Sequence, residues 1–565
     1  MPPAPPEYLR SAGISAPVAQ LLYNRKIASD QINSFLFDSQ QFQNDPFLLP
    51  DMHLAVNRIH RALSNKEKIA VYGDFDADGV TATAIMVEGL NALGNEAIPY
   101  IPHRLHEGYG LNMAAIKNLW EEGVRLIITV DCGISAIKEV NEAKELGMDI
   151  IITDHHTPAS NLPQAIAVID SKRCDSQYPF PHLAGAGIAF KLVQALLHKD
   201  KKADVTNKLL DLVALGTIPD MVPLTGENRY LVKKGLEALN DTHRIGVKKM
   251  IDIANLKPDK ISEGDVAWAL GPRLNAAGRI GHATNSYRLL TTVSGKEAVL
   301  LAKELEEGNE ERQTLTKEAT DMAEKRLAGK RGQVLLIDGD ESYPPGVIGL
   351  VAGKLAAKHY RPTIILTLEP EICRGSARSI PEFNIVAALQ QCQDLLINCG
   401  GHPMAAGFMV TRENLSQVKK RLTAMADSQL AHLDLMPRLI IDAEIPLTCF
   451  SGETLNLIRQ MAPFGQGNPS PTFLSRGVEV LKQRSIGKQG NHLELEIKQG
   501  GTVWRAIAFN YDDSGQSQGN DPGIVELPRQ IDIVYNFKVS QWRREEVLSL
   551  SLCDFAPSAQ KKNSL

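Results

Sequence analysis

No stretch of about 20 uncharged apolar residues occurs in this 565-residue chain, so no transmembrane helix is expected. The opening residues, Met1-Pro-Pro-Ala-Pro-Pro-Glu7, lack a basic n-region and an apolar h-region, and no signal peptide is expected. Cysteine is sparse. The seven, at 132, 174, 373, 392, 399, 449 and 553, are odd in number and never spaced Cys-x-x-Cys. That excludes a disulfide framework and a zinc ribbon and points to a reducing cytoplasm. An excess of positive charge is missing too: 61 basic residues against 66 acidic ones leave a net charge of −5. Any polyanion must then be met by local patches, and part of the acidity is available for a metal site. No repeat of about 20–50 residues is visible. What remains is ordinary globular composition, 43% apolar and 22% charged, with length for about four domains at roughly 150 residues each.

The first 60 residues carry apolar positions at helical spacing (Val18, Leu21, Leu22; Met52, Ala55, Ile59, Ala62) and read as helices leading into the first core. From about residue 66 to 170 short β-branched runs alternate with helical segments. Ile69–Tyr72, Leu126–Val130, Ile150–Thr153 and Ile166–Ile169 read as strands, and Val80–Leu93 as a helix. This pattern predicts a parallel sheet covered by helices. Each strand ends in or just before an acid: Asp74, Asp131, Asp154, Asp170. Open α/β sheets bind ligands at the carboxyl ends of their strands, so the four acids point to one acidic crevice. Residues 294–328 form a charged, Pro-free helix, with Ser294 and Glu297 spaced as a capping box, suited to connect two lobes. A second α/β pattern follows: Val334–Ile337, then Gly346–Lys358, then Thr363–Leu366. Beyond about residue 436 the period becomes two, in 492–497, 502–509, 531–537 and 547–552, which predicts a small β-barrel. Residues 514–523 read as a loop and 558–565 as a tail.

Tyr72-Gly-Asp74-Phe-Asp76-Ala-Asp78-Gly79 follows a strand and precedes a helix. In extended backbone the three aspartates face one side, and converging carboxylates repel unless a cation lies between them. Hard oxygen donors suit Mg²⁺ or Mn²⁺. A calcium loop is excluded, because Ile85 occupies the position where that loop needs Glu. A plain solvated turn is the bland alternative. Asp131-Cys-Gly133 and Asp154-His155-His156 stand at two further strand ends, and Gly216-Thr-Ile-Pro-Asp220 follows an apolar helix. Adjacent side chains on extended backbone point apart, so one histidine of the pair is expected as a ligand and the other free to face a substrate.

These four segments, in this order, resemble the motifs of the DHH phosphoesterases. Further segments resemble the RecJ family within that class: Pro102-His-Arg104-Leu-His-Glu-Gly-Tyr-Gly110, Leu183-Ala-Gly-Ala-Gly-Ile-Ala-Phe-Lys191, Gly271-Pro-Arg273-Leu-Asn275-Ala-Ala-Gly-Arg279, Pro344-Pro-Gly-Val-Ile-Gly349, Gly375-Ser376-Ala-Arg378 and Gly400-Gly-His402-Pro. The resemblance spans about residues 45–475, with a β region beyond where the family carries an OB-fold. It implies a parallel-sheet catalytic lobe, a long connector helix, a second smaller α/β lobe and an OB-like barrel. It also implies a two-metal hydrolase that degrades single-stranded DNA from the 5′ end, releasing mononucleotides, in DNA repair and recombination. By the resemblance Asp74, Asp76 and Asp131 hold one Mn²⁺ or Mg²⁺ ion. Asp78, Asp131, His155 and Asp220 hold the other, so that Asp131 bridges. His156 then faces the scissile phosphate as a catalytic group. Arg104, Ser376 and Arg378 resemble a pocket for the 5′-terminal phosphate. Arg273, Asn275, Arg279 and His402 are further candidate nucleic-acid contacts. In the β region Trp504, Tyr535, Phe537 and Trp542 lie near Arg505, Lys538, Arg543 and Arg544, which fits either base stacking or a plain aromatic core.

The expected divisions are a helical segment 1–60, a catalytic domain 61–230, a helical region 231–330, a second α/β lobe 331–432, a barrel 433–558 and a tail 559–565. The expected protein is a cytoplasmic monomer whose partners are single-stranded DNA, a helicase and a single-strand-binding protein. Two alternatives share the fold: a phosphodiesterase acting on short oligonucleotides, cyclic-dinucleotide products or pyrophosphate, and a replication scaffold without catalysis. Clustered ligand carboxylates argue against the scaffold, which has no physical need for their mutual repulsion.

Overall fold

The computed structural model describes every residue except 38–41, 105, 199–202, 331, 488–490, 510, 512–526, 543–544 and 559–565. The chain forms two compact units. One comprises residues 44–222 and 226–437, the other residues 1–43, 223–225 and 438–565.

The larger unit opens with a five-stranded parallel sheet. Its strands are β1 (Lys68–Gly73), β2 (Ile98–Tyr100), β3 (Val124–Val130), β4 (Asp149–Thr153) and β5 (Ala167–Ile169), in the order β2-β1-β3-β4-β5. The runs of Ile and Val are buried on both faces, as helices on both sides of the sheet require. β2 escapes the sequence pattern because it is a three-residue edge strand with Pro99 at its centre. The helix Ala77–Ala92 starts three residues earlier than its apolar pattern predicts. A Cβ at Gly89 would fall 2.5 Å from Val193, so this glycine lets that helix lie directly against Gly185–Leu197. The strand order reverses between β1 and β3, which places the ligand crevice of this sheet at Asp74 and Asp131.

Helices then lead to the long helix Gly295–Leu327, whose N-cap Ser294 accepts the Glu297 N–H at 3.3 Å. The predicted capping box is half formed, because the Glu297 carboxylate turns instead to Thr292 and Arg288. The second sheet contains β6 (Leu336–Asp340), β7 (Thr363–Thr367), β8 (Ile372–Arg378), β9 (Leu396–His402) and β10 (Ala405–Thr411), in the order β6-β7-β8-β10-β9. Only β6 and β7 pair in parallel. The lobe has its own core, including Ile364, Phe383, Phe408 and Leu422. No described helix is long and apolar enough to cross a membrane.

The smaller unit contains β11 (Ala443–Glu444), β12 (Phe473–Ile486), β13 (His492–Gln499), β14 (Thr502–Ala508), β15 (Gln530–Trp542) and β16 (Glu545–Pro557). Successive pairings β12-β13-β14-β16-β15 and back to β12 close a five-stranded barrel, with β14 and β16 parallel. The expectation for the N-terminus is overturned here. Val18, Leu21, Leu22, Ile32, Phe35 and Leu36 share one core with Phe450, Phe473 and Tyr535 of the barrel unit. Asn24 donates to the Asp442 carbonyl and Arg25 to Asn468. Helical spacing marks which face is buried but not what buries it. The later part of the same stretch, from Asn44 and including the helix Met52–Ser64, belongs to the larger unit. The predicted loop at 514–523, the tail at 559–565, and Arg543 and Arg544 lie outside the described residues, as does the side chain of Trp542.

Candidate metal centre

Asp74, Asp76 and Asp78 do not lie along one strand, as their spacing predicts. β1 stops at Gly73 and the chain turns at once into the helix Ala77–Ala92. Asp76 caps that helix, its Oδ1 accepting the N–H groups of Asp78 (2.9 Å) and Gly79 (3.0 Å). The turn is tight because position 79 is glycine, where a Cβ would stand 2.6 Å from the Asp74 carbonyl oxygen. Asp78 lies in the first helical turn and is held from the facing helix. Its Oδ2 accepts the Gly185 N–H (2.6 Å) and its Oδ1 the Ala186 N–H (2.8 Å), at a helix N-terminus that favours negative charge. Gly185 of the Leu183–Lys191 segment thus serves the centre. A Cβ at Gly185 would fall 2.6 Å from Cβ of Asp131.

Asp131 follows β3 with φ of +61°, a left-handed conformation that Asp adopts more readily than most residues. His155 and His156 lie past the end of β4. The strand has ended there, and their rings lie together, centroids 4.5 Å apart, instead of pointing to opposite sides. His155 Nε2 lies 3.0 Å from Asp131 Oδ1, 3.7 Å from Asp220 Oδ2 and 3.9 Å from Asp78 Oδ2. Ligand atoms come within 4.8 Å of one another in three overlapping groups: Asp74, Asp76 and Asp131; Asp131, His155 and His156; Asp78, His155 and Asp220.

The chemistry of this donor set fits divalent ions. Both ring nitrogens of His155, Oδ1 of Asp74 and of Asp131, and Oδ2 of Asp220 are buried without a hydrogen-bond partner. Burial above all, and then the neighbouring carboxylates, push Asp74, Asp131 and Asp220 well above the usual carboxylate range. The same causes raise Asp78 to about 7, against the pull of its two backbone donors. Burial, reinforced by His156, lowers His155 to about 3 and keeps its imidazole neutral, the form that ligates metal. A cation at these oxygens would satisfy them and remove the repulsion together.

Around these donors are residues to which sequence reasoning assigned no role. Asp154 is fully buried, and its Oδ1 accepts the N–H groups of His155 (2.7 Å) and His156 (3.1 Å) and bonds His156 Nδ1 (2.8 Å). Burial alone would raise Asp154, but the His156 bond and both imidazoles outweigh it and hold the carboxyl at about 2. Conversely, burial alone would depress His156, yet the Asp154 bond and nearby carboxylates raise it. With Nδ1 so engaged, Nε2 is the free nitrogen. Tyr109 Oη approaches His156 Nδ1 at 3.2 Å, and Lys172 donates to the His155 carbonyl. The strand-end position of Asp154 was the available signal; Tyr109 lies within the Pro102–Gly110 segment without a role of its own there, and nothing local marked Lys172. Asp170, the fourth strand-end acid, joins none of the ligand groups.

Beside the centre is a cleft of about 900 Å³ between the two lobes of the larger unit, lined among others by Arg104, His156, Ser376, Arg378 and His402. The His402 ring lies parallel to that of His156, 6.2 Å away. Ser376, Gly407 and Gly400 stand in register across β8, β10 and β9. Gly349, in the first turn of the helix Ile348–His359, admits the Ser376 hydroxyl and the Arg378 guanidinium beside that helix: a Cβ there would meet them at 3.0 and 3.1 Å. Half-buried arginines beside a helix start suit an anion. Of the other candidates, Arg279 lies close enough to Arg104 and Arg378 for their charges to act on it, and its Nη1 donates to the Gly346 carbonyl. Arg273 and Asn275 are not among the residues that line the cleft. Both lie on the helix Gly271–Ile280, where Arg273 forks onto Glu306 of the long helix and Asn275 Oδ1 accepts the Ala77 N–H at 2.9 Å.

In the barrel, Tyr535 is fully buried and Phe537 packs on the same core, so for these two the core reading holds. Trp504 is half-buried in a groove of about 600 Å³ with Lys482, Arg484 and Arg505, the last two paired with Glu494.

Family models match in three segments: the DHH family N-terminal domain at residues 68–217, the DHHA1 domain at 330–428 and the RecJ OB domain at 441–554. The "Single-stranded-DNA-specific exonuclease RecJ" of Bacillus subtilis (strain 168) is 38% identical over 546 residues, covering 96% of this chain and 68% of that protein. The protein of the same name from Salmonella typhimurium is 35% identical over 528 residues, covering 89% of this chain and 90% of the relative. Among solved structures, RecJ in complex with Mn²⁺ from Thermus thermophilus matches with a TM-score of 0.81 and 28% identity, covering 98% of this chain and 78% of that one. A manganese-bound exonuclease RecJ matches with a TM-score of 0.59 and 35% identity, over 68% of this chain and 98% of that one. Sequence, fold and donor set agree, and the chain belongs to the RecJ family.

Proposed function

We propose that this protein is a metal-dependent exonuclease that hydrolyses single-stranded DNA from its 5′ end and releases mononucleotides. The observation that carries the reading is the overlap of the three ligand groups on Asp131 and His155, at the switch point of the sheet and beside a cationic cleft. Asp74, Asp76 and Asp131 would hold one Mn²⁺ or Mg²⁺ ion, and Asp78, Asp131, His155 and Asp220 the other. Such a pair supplies a water of lowered pKa and neutralises charge on a phosphodiester. His156, fixed by Asp154, stabilises the developing negative charge at the scissile phosphate. Arg104, Ser376 and Arg378 take the 5′-terminal phosphate, which makes that end the starting point. The side-chain-free floor at Gly400 and Gly407 leaves room for the terminal nucleotide, with His402 beside it. In the barrel, Trp504 and its cationic neighbours hold the strand further along by stacking and backbone charge.

On this reading residues 61–230 and 331–432 are the two lobes that carry these roles. A cytoplasmic monomer, supplied with single strands by a helicase and working beside a single-strand-binding protein in repair and recombination, is the setting that fits. The test uses a 5′-labelled single strand and the matching duplex, with Mn²⁺ or with chelator. Metal-dependent release of labelled mononucleotide from the single strand alone is the expected result. Cleavage confined to dinucleotides or pyrophosphate would move the site to small substrates, and no hydrolysis at all would leave a scaffold.

A further inference from the structure

We propose that the helix Gly271–Ile280 is a strut that couples the anion pocket to the aspartate loop, with Asn275 as its positioning residue. The inference rests on the reading of the loop as an ion site and of the cationic group as the 5′-phosphate pocket. Three contacts join the helix to the loop and the pocket. Asn275 Oδ1 accepts the N–H of Ala77, the residue between Asp76 and Asp78. Gly278 packs against the Phe75 carbonyl, where a Cβ would come within 2.5 Å of the oxygen, so the helix backbone itself braces the loop. Arg279, the next residue, belongs to the pocket: its Nη1 donates to the Gly346 carbonyl at 3.1 Å, just ahead of the helix that backs Ser376 and Arg378. A fourth contact closes the circuit from the pocket side. The Arg104 guanidinium lies over the ring of Phe75, 4.8 Å from its centroid.

The pocket holds mutually repelling charges. Arg279 is surrounded by Arg104, Arg312 and Arg378, and burial together with these like charges lowers its pKa to about 9. A bound phosphate draws Arg104 and Arg279 together and relieves that repulsion. Each of the two is bound to the loop, Arg104 through the Phe75 ring and Arg279 through the helix that carries Asn275 and Gly278. End recognition therefore fixes the backbone that presents Asp74, Asp76 and Asp78. Coupling of this kind is reciprocal: what the 5′ phosphate does for the ions, the ions do for the 5′ phosphate. Asn275 thus acts on the loop and not on the nucleic acid.

The test measures Mn²⁺ affinity by calorimetry on the full chain, in the presence of an oligonucleotide whose first linkage is a non-hydrolysable phosphonate, with either a 5′ phosphate or a 5′ hydroxyl. Both probes place the same linkage at the ions, so their difference reports the pocket. In the unmodified protein the 5′ phosphate is expected to raise Mn²⁺ affinity by about 5-fold or more, the lower end of ordinary coupling. In Asn275→Ala the difference should collapse to less than about 2-fold, while the preference for the 5′ phosphate measured in chelator persists. Asn275→Asp, which keeps the acceptor for Ala77, should restore the difference. Phe75→Leu, which removes the ring beneath Arg104 and leaves Asn275 in place, should weaken it and guards against a folding defect in the first variant. Undiminished coupling in both Asn275→Ala and Phe75→Leu overturns the strut. If Asp131→Ala still binds Mn²⁺ with full stoichiometry, the ion reading of the loop fails instead. If the unmodified protein in chelator ignores the 5′ phosphate, the pocket reading fails.

Discussion

Asp131 is the carboxylate that two of the three ligand groups share, and it depends on a left-handed backbone and on a glycine at 185 to reach both. Asp131→Ala is therefore expected to reduce hydrolysis to the level seen in chelator and to lower the number of Mn²⁺ ions bound, read by calorimetry. His156→Ala should keep both ions and slow turnover by about 100- to 1,000-fold, the usual cost of losing one transition-state contact. An emptied site in that variant would assign His156 to the ions. Asp170 permits a test of pH dependence away from the ligands. Burial, set against the Lys172 N–H, raises its carboxyl to about 7, and its Oδ2 has no hydrogen-bond partner. An acid whose folded pKa is raised binds its proton in the native state after the unfolded chain has lost it. It therefore costs nothing below about pH 4, costs progressively more up to about pH 7, and costs a constant amount above that. Asp170→Asn should match the unmodified protein in denaturant titrations near pH 4. It should gain on it by roughly 1.4 kcal/mol per pH unit at most until about pH 7, then run parallel. A gap that narrows as pH rises would contradict the assignment.

At the scale of elements, the site is a set of strand ends and helix starts brought to one point. The N-terminus of Gly185–Leu197 holds Asp78 through two N–H groups, and the same turn packs against Asp131. Gly185→Ala pushes a methyl group into the Asp131 side chain and displaces the donor to Asp78. It should weaken Mn²⁺ binding by about 10- to 100-fold, as loss of an outer-shell support does, with far-ultraviolet circular dichroism unchanged. These relations set the limit of what sequence could tell. The strands and the acids at their ends were legible, because β-branched runs and a terminal Asp are local signals. That Asp74, Asp76 and Asp78 converge was legible; that they do so through a helix cap was not, because period-two reasoning assumes the strand continues. That the rings of the adjacent histidines lie together was not legible for the same reason, since β4 ends at Thr153. Asn275 and Arg273 are candidate nucleic-acid contacts by the resemblance, but their partners in the fold, Ala77 and Glu306, are distant in sequence and no spacing rule reveals them.

For the whole molecule, the unexpected feature is the N-terminal segment, which shares its core with the barrel unit from the far end of the chain. Deleting residues 438–565 alone strips the cover from Val18, Leu21, Leu22, Ile32, Phe35 and Leu36. At roughly 1.5–3 kcal/mol for each large apolar side chain returned to water, such an exposed stripe should make the product aggregate. Such a failure would say nothing about the catalytic unit. The informative fragment is residues 44–437, which removes the helical stripe together with its partner and keeps both sheets and the long helix. This fragment should remain monodisperse and bind Mn²⁺ as the full chain does, because all six proposed ligands lie within it. It should hydrolyse a 5′-phosphorylated oligonucleotide of a few residues at a rate close to that of the full chain. On strands of tens of nucleotides it should fall behind, since the groove at Trp504 is gone. Equal degradation of long and short strands by this fragment would exclude the barrel from strand holding. A monodisperse fragment that binds no Mn²⁺ would show that the ligand geometry depends on the other unit.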